Sequence, residues 1–196
     1  SRGARRLAMA INSRLPPDVQ VLGVEATHAN FDPIADAVSK GYSYTFHIGR
    51  DQPLWDRWFV RHVPRGPLNV QAMREAAAVL EGEHDFAAFA AAGHGRLTTV
   101  RTVHALSVRE IGNAEGEEGT NREARGMSSA QRVRLDISGS GFLWNMVRII
   151  AGTLLDVGLG RRDPASVKAA LESRDRTRAG PTLGPEGLCL EWIRYG

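Results

Sequence analysis

The sequence runs to 196 residues, enough for one substantial domain or two small ones, and a chain of that size buries roughly 70% of its unfolded surface. Hydrophobic residues at 42% and charged residues at 24% fall in the ordinary globular range and exclude an intrinsically disordered chain. The lone cysteine, Cys189, excludes an intrachain disulfide framework and any multi-cysteine metal site.

Two of the 25 basic residues are lysines, Lys40 and Lys168, and the rest are arginines. Arginine's planar fork grips phosphate and stacks on bases, so the bias is compatible with RNA binding. With a net charge of only +3, a genome-wide preference for arginine accounts for it more readily. No run of about 18 apolar residues is present. The opening Ser1-Arg2-Gly3-Ala4-Arg5-Arg6 leads into an amphipathic run rather than a signal-peptide core. A cytoplasmic protein with no membrane partner is therefore expected.

In chain order, residues 4–15 read as a helix stopped by Pro16-Pro17-Asp18, followed by an extended apolar segment from Val19 to Val24. A helix at the start with no earlier strand to cover its apolar face hints at a missing N-terminal part. Tyr42, Tyr44, Phe46 and Ile48 alternate with Ser43, Thr45 and His47 as a half-buried strand. After a loop rich in aromatic and basic residues (Trp55, Arg57, Trp58, Phe59, Arg61), Leu68 to Leu80 has helical spacing and ends at Gly82. Thr98 to Ile111 and Gln131 to Ser138 read as the strands of a long hairpin, joined by a polar segment, 112–129, expected to be a mobile surface excursion. Phe142 to Val157 forms the central helix, closed by Gly158 and Gly160. A second helix runs from Pro164 to Glu172 with Asp163 as its N-cap, and Leu188, Leu190 and Trp192 alternate as a final strand. The order is mixed α/β, without the regular alternation of a doubly wound parallel sheet.

Several chemistries are disfavoured. Gly139-Ser140-Gly141 fails as a dinucleotide fingerprint because Trp144 stands where the third glycine belongs, so a tight strand-to-helix turn is expected. The six histidines include no pair at metal-binding helix spacing, and no metal is predicted. Cys189, in an apolar strand, reads as a buried inert thiol. Arg148 is the most informative charge, because it sits within the apolar run Asn145-Met146-Val147-Arg148-Ile149-Ile150. Burying it unpaired would be costly, which predicts a carboxylate or phosphate partner; the alternative is a surface arginine snorkelling over Trp144. Gly152, one turn on, would let another backbone approach closely.

Taken in order, several runs resemble the TruA-type tRNA pseudouridine synthases, over nearly the whole chain and at the level of their C-terminal two-thirds. They are Asn12-Ser13-Arg14-Leu15-Pro16, Lys40-Gly41-Tyr42-Ser43-Tyr44, Gly82-Glu83-His84-Asp85-Phe86-Ala87-Ala88-Phe89, Thr99 to Val103, Gly141-Phe142-Leu143 through Met146-Val147-Arg148 to Gly158, and Asp175-Arg176 with Ala179-Gly180-Pro181-Thr182 and Glu186-Gly187-Leu188. The resemblance implies a pseudouridine synthase fold, α/β (α+β), with a central antiparallel sheet, helices packed on one face and the RNA cleft on the other. It implies isomerisation of uridine to pseudouridine in the anticodon stem-loop of tRNA, without a cofactor, by a homodimer. It assigns Tyr42 to contact with the target base, Leu188 to an apolar wall beside the uracil, and Arg148 to pairing with the catalytic aspartate. Tyr42 and Leu188 also satisfy plain strand alternation.

That aspartate belongs in the family to a Gly-Arg-Thr-Asp-Ala-Gly-Val-His motif upstream of these runs, and the motif does not occur in this sequence. The expectation is a remnant of the N-terminal subdomain over 1–41, a C-terminal synthase subdomain over 42–196, N-terminal strands missing, and no activity without the aspartate segment. A non-catalytic tRNA-binding or dimerisation module is the alternative. Two departures, Ile34 and Ala90 where the family usually has arginine, remove positive charge from the expected RNA surface.

Overall fold

The structure, a computed structural model, describes residues 2–91, 93, 97–112 and 130–196. The excursion expected over 112–129 therefore lies, from residue 113 onward, outside the described residues. The chain divides into two compact units, Ser1–Asp36 and Ala37–Gly196.

The first unit holds helix α1 (Arg2–Asn12), none of whose residues is buried. Asn12 closes it by a reciprocal clamp: its Nδ2 donates to the Val21 carbonyl at 2.9 Å and its Oδ1 accepts from the Val21 amide at 2.8 Å. Val19 to Val24 is thereby held without strand pairing, so the apolar run expected to be extended there joins no sheet. Further on, the Asp32 carboxylate accepts from the amides of Ile34 and Ala35, which hold its pKa below the usual carboxylate range.

The second unit is built on a six-stranded sheet of strands β1 (Ala37–Ile48), β2 (Arg61–Val63), β3 (Gly82–Asp85), β4 (Val100–Ile111), β5 (Gln131–Gly139) and β6 (Leu188–Tyr195). β5 pairs antiparallel with β1 and β4, and β3 closes the far edge on β4. The other edge of β1 is shared: β6 lies antiparallel along residues 37–44, and β2 lies parallel along residues 46–48. The long strands are those the alternation predicts. Sequence reading misses β2 and β3 because three or four residues give no measurable period.

One sheet face, with Tyr44, Phe46, Val133, Leu135, Ile137 and Val108, joins α2 (Val70–Ala78), α3 (Met146–Gly158) and α4 (Ala165–Ser173) in one core. Asn69 caps α2 by accepting from the Ala72 amide at 3.0 Å, and Asp163 accepts from the Ala165 amide at the start of α4. Gly160, at φ +68°, ends α3 in the left-handed conformation that glycine tolerates best. The opposite sheet face is polar. Arg109 and Arg134 both pair with Asp136, and Arg134 reaches on to Glu191, which accepts from Ser43.

Two expectations need correction. The central helix starts at Met146 rather than Phe142, because residues 140–145 are spent on the turn that leaves β5, whose last residue, Gly139, lies too close to the Thr102 carbonyl for any side chain. Cys189 is exposed rather than buried, since β6 is an edge strand whose residues 189–191 are all exposed. Its thiol is nevertheless unactivated: burial of the sulfur and the nearby Glu191 carboxylate push its pKa up.

Candidate active site

The Gly-x-His-Asp-Phe-x-x-Phe run is scaffold. Phe86 and Phe89 are fully buried, and the Asp85 carboxylate accepts from the Ala87 amide at 3.1 Å and from Thr99 Oγ1 at 2.5 Å, and pairs with Arg174 at 3.0 Å. Ala90 is buried too.

The segment 179–188 forms the wall of a site. Gly180 donates to Thr153 Oγ1 at 2.8 Å, and the Pro181 carbonyl sits where a side chain on Gly152 would lie, so the close backbone approach expected at Gly152 is present. Arg176 Nη1 and Nη2 hold the Gly180 carbonyl at 2.9 Å and Thr182 Oγ1 at 3.0 Å. Tyr44 donates its hydroxyl to the Gly184 carbonyl at 2.8 Å, and Arg61 pairs with Glu186. These ties fix Pro185 and Leu188 in space.

Against that wall lies a cavity of about 430 Å³ lined by Tyr42, Phe142, Trp144, Asn145, Arg148, Pro185 and Leu188 among others, within the size range of small-ligand pockets. All three side chains singled out from the sequence, Tyr42, Arg148 and Leu188, line it together. They do so on the helix-bearing side of the sheet: Tyr42 shares the face of Tyr44 and Phe46, and Arg148 comes from α3. Tyr42 meets Phe142 edge to face at 5.3 Å between ring centroids, and burial pushes its phenol pKa up, so it stays a neutral hydrogen-bond donor at ordinary pH.

Arg148 is neither ion-paired nor snorkelling. Its Nε donates to the Leu183 carbonyl at 2.6 Å and its Nη1 to Asn145 Oδ1 at 2.8 Å; among the described residues it forms no salt bridge. The Leu183 amide returns a bond to the Arg148 carbonyl at 3.4 Å. The charge of Arg148 is felt by Glu186. Burial pushes that carboxyl up, but the hydrogen bond from Arg61 and the charges of Arg61 and Arg148 outweigh burial and keep it low. The cavity thus presents a neutral phenol, an apolar wall and a fixed cation.

Sequence reading missed Asn145 and Pro185. Asn145 has φ 61°, one of two positive values at non-glycine positions among the described residues; asparagine adopts that region more readily than most residues, but nothing in the local pattern demands it. Among the described residues, no three His, Cys, Asp or Glu side chains gather closely enough to hold a metal. No helix among them is long and apolar enough to cross a membrane.

The sequence that builds this mixed α/β fold matches a known class of enzyme. A family model described as tRNA pseudouridine synthase covers residues 76–196. The protein named tRNA pseudouridine synthase A in Geobacter sulfurreducens is 39% identical over 194 residues, spanning 97% of this chain and 70% of that protein. Its namesakes in Bacillus subtilis and Geotalea daltonii are 38% and 37% identical, over 98% and 97% of this chain and 70% of each relative. The chain belongs to the tRNA pseudouridine synthase family, a family of isomerases.

Proposed function

We propose that the cavity between α3 and β6 receives the target uridine of the tRNA anticodon stem-loop, and that Tyr42, Leu188 and Arg148 are its functional side chains. Chemistry on a base inside a stem requires the nucleotide to be extruded into a pocket. There the neutral phenol of Tyr42 contacts the base, while Leu188, with Pro185 and Phe142 beside it, forms the apolar wall that excludes water. Arg148 pairs with the catalytic aspartate that the family carries on its Gly-Arg-Thr-Asp-Ala-Gly-Val-His motif. In the isomerisation the bond from ribose C1′ to N1 breaks, the uracil turns, C1′ bonds to C5, the C5 proton leaves to water and N1 takes a proton up from water; no cofactor is consumed. A second copy of the chain as partner and a cytoplasmic setting belong to the same reading.

The supporting observation is the meeting of these three residues, distant in sequence, on one cavity of about 430 Å³. The test is tritium release from tRNA labelled at uridine C5, using this chain joined to a segment bearing the aspartate motif. Release that disappears in Arg148→Ala and falls steeply in Tyr42→Ala supports the reading. Release indifferent to both substitutions refutes the residue roles. Tight tRNA binding with no release from any form would make the chain a binding module instead.

A further inference from the structure

Arg148 is bonded to a neighbour that the sequence pattern does not mark. We propose that Asn145 is a positioning residue that aims the Arg148 guanidinium at an oxyanion in the cavity; this rests on the site reading above.

The argument starts from the backbone. Asn145 is left-handed, at φ 61° and ψ 7°, a conformation natural for glycine and adopted at some cost by asparagine. Its carbonyl accepts the Ile149 amide at 3.0 Å, opening α3, and glycine would serve that need without strain. What asparagine adds is Oδ1, three residues before Arg148 and hence on the same side of the helix start, accepting from Nη1 at 2.8 Å. With Nε already bound to the Leu183 carbonyl at 2.6 Å, two of the three guanidinium nitrogens are tied. Two bonds to a planar group fix its plane, and Nη2 is left as the nitrogen free to meet an anion.

The identity of the side chain is also telling. An aspartate at 145 would hold the same nitrogen but neutralise the charge. The neutral amide orients Arg148 and leaves its full positive charge for a carboxylate or phosphate. Strain retained at a position lining a cavity is the pattern expected where orientation matters more than local stability.

Asn145→Gly separates the two roles, because it suits the backbone and removes the side chain that carries Oδ1. By nitrogen-detected magnetic resonance of the chain, the Arg148 Nε–H signal, assigned by its loss in Arg148→Lys, is expected to broaden in Asn145→Gly with guanidinium rotation faster by roughly tenfold, while Tm stays within about 2 °C. Asn145→Asp should keep that signal sharp. With the aspartate-bearing segment joined, Asn145→Gly should lower kcat roughly tenfold at unchanged KM, as misorientation of a catalytic partner does, and Asn145→Asp should lower it further through charge. An unchanged Arg148 signal in Asn145→Gly, or a changed signal with wild-type kcat, overturns the proposal. If the wild-type protein shows no turnover, the isomerase reading fails separately and the Arg148 signal alone decides whether Asn145 orients it.

Discussion

Gly152→Ala tests the packing that builds the site wall, because two physical effects pull in opposite directions and the structure says which wins. In a helix interior, alanine is favoured over glycine by about 1 kcal/mol, so helix propensity alone predicts stabilisation. At Gly152, however, the new methyl would collide with the Pro181 carbonyl, which is backbone and cannot swing away. The segment cannot slide along the helix either, since Gly180 is itself so close that a Cβ on it would lie 2.6 Å from Thr153 Cα. Pushing it outward costs about 1–3 kcal/mol of overpacking, and breaking the buried bond from Gly180 to Thr153 Oγ1 adds about 1 kcal/mol. Set against the propensity gain, the net loss is about 2 kcal/mol, a fall in Tm of roughly 4–8 °C for a chain of this length. Gly158→Ala is the matched control: its methyl would meet Met73 Sδ at 2.6 Å, the mobile end of a flexible side chain, so a loss below about 1 kcal/mol is expected. Thermal melts and urea titrations of both variants, followed by circular dichroism, make the comparison. A Gly152→Ala protein that melts at or above the wild-type temperature would refute the close approach, and with it the fixed position of Leu183 against Arg148.

Three further outcomes follow from the same geometry. Burial and the Glu186 charge raise the Tyr44 pKa, against the opposing pull of Arg61 and Arg148, so above pH 10 the unfolded chain releases the phenol proton before the folded one and stability falls as pH rises; Tyr44→Phe should flatten that alkaline limb in urea titrations while costing about 1 kcal/mol at neutral pH for the bond to Gly184. Thr153→Val keeps the shape of a fully buried side chain but strands the Gly180 amide, and a loss of about 1–3 kcal/mol is expected by urea titration. Cys189, exposed with a raised pKa, should react with a disulfide reagent in the folded protein, slowly at pH 7 and faster as pH rises; a thiol that reacts only after denaturation would show that β6 is covered.

The long elements were legible because their burial is periodic. Tyr44, Phe46 and Ile48, or Ile150 and Leu154, bury one face each, and alternation or helical spacing records that directly. The meeting of Tyr42, Arg148 and Leu188 was legible only through resemblance, since no local pattern ties a strand residue to one near the other end of the chain. What stayed hidden depends on unpatterned contacts. β2 owes its existence to three residues alongside the end of β1, and the exposure of Cys189 depends on which strand ends the sheet, a matter of topology rather than of its apolar neighbours.

The same distinction explains how Arg148 is held. Burial of a guanidinium demands hydrogen bonds, and a carboxylate is merely the partner that composition makes easiest to imagine. Here the demand is met by a backbone carbonyl and a side-chain amide, both neutral, so the bonds orient the group without cancelling its charge. A carboxylate from the same chain would have anchored Arg148 more strongly and left less positive potential for any anion in the cavity. The neutral anchoring therefore favours a ligand-facing role over a structural one. The wall segment serves the same end: Gly152 and Gly180 let it lie against α3 closely enough for Leu183 to reach Nε. Stability of that packing and orientation of the cation are thus one structural fact, and a substitution that loosens the first should blur the second.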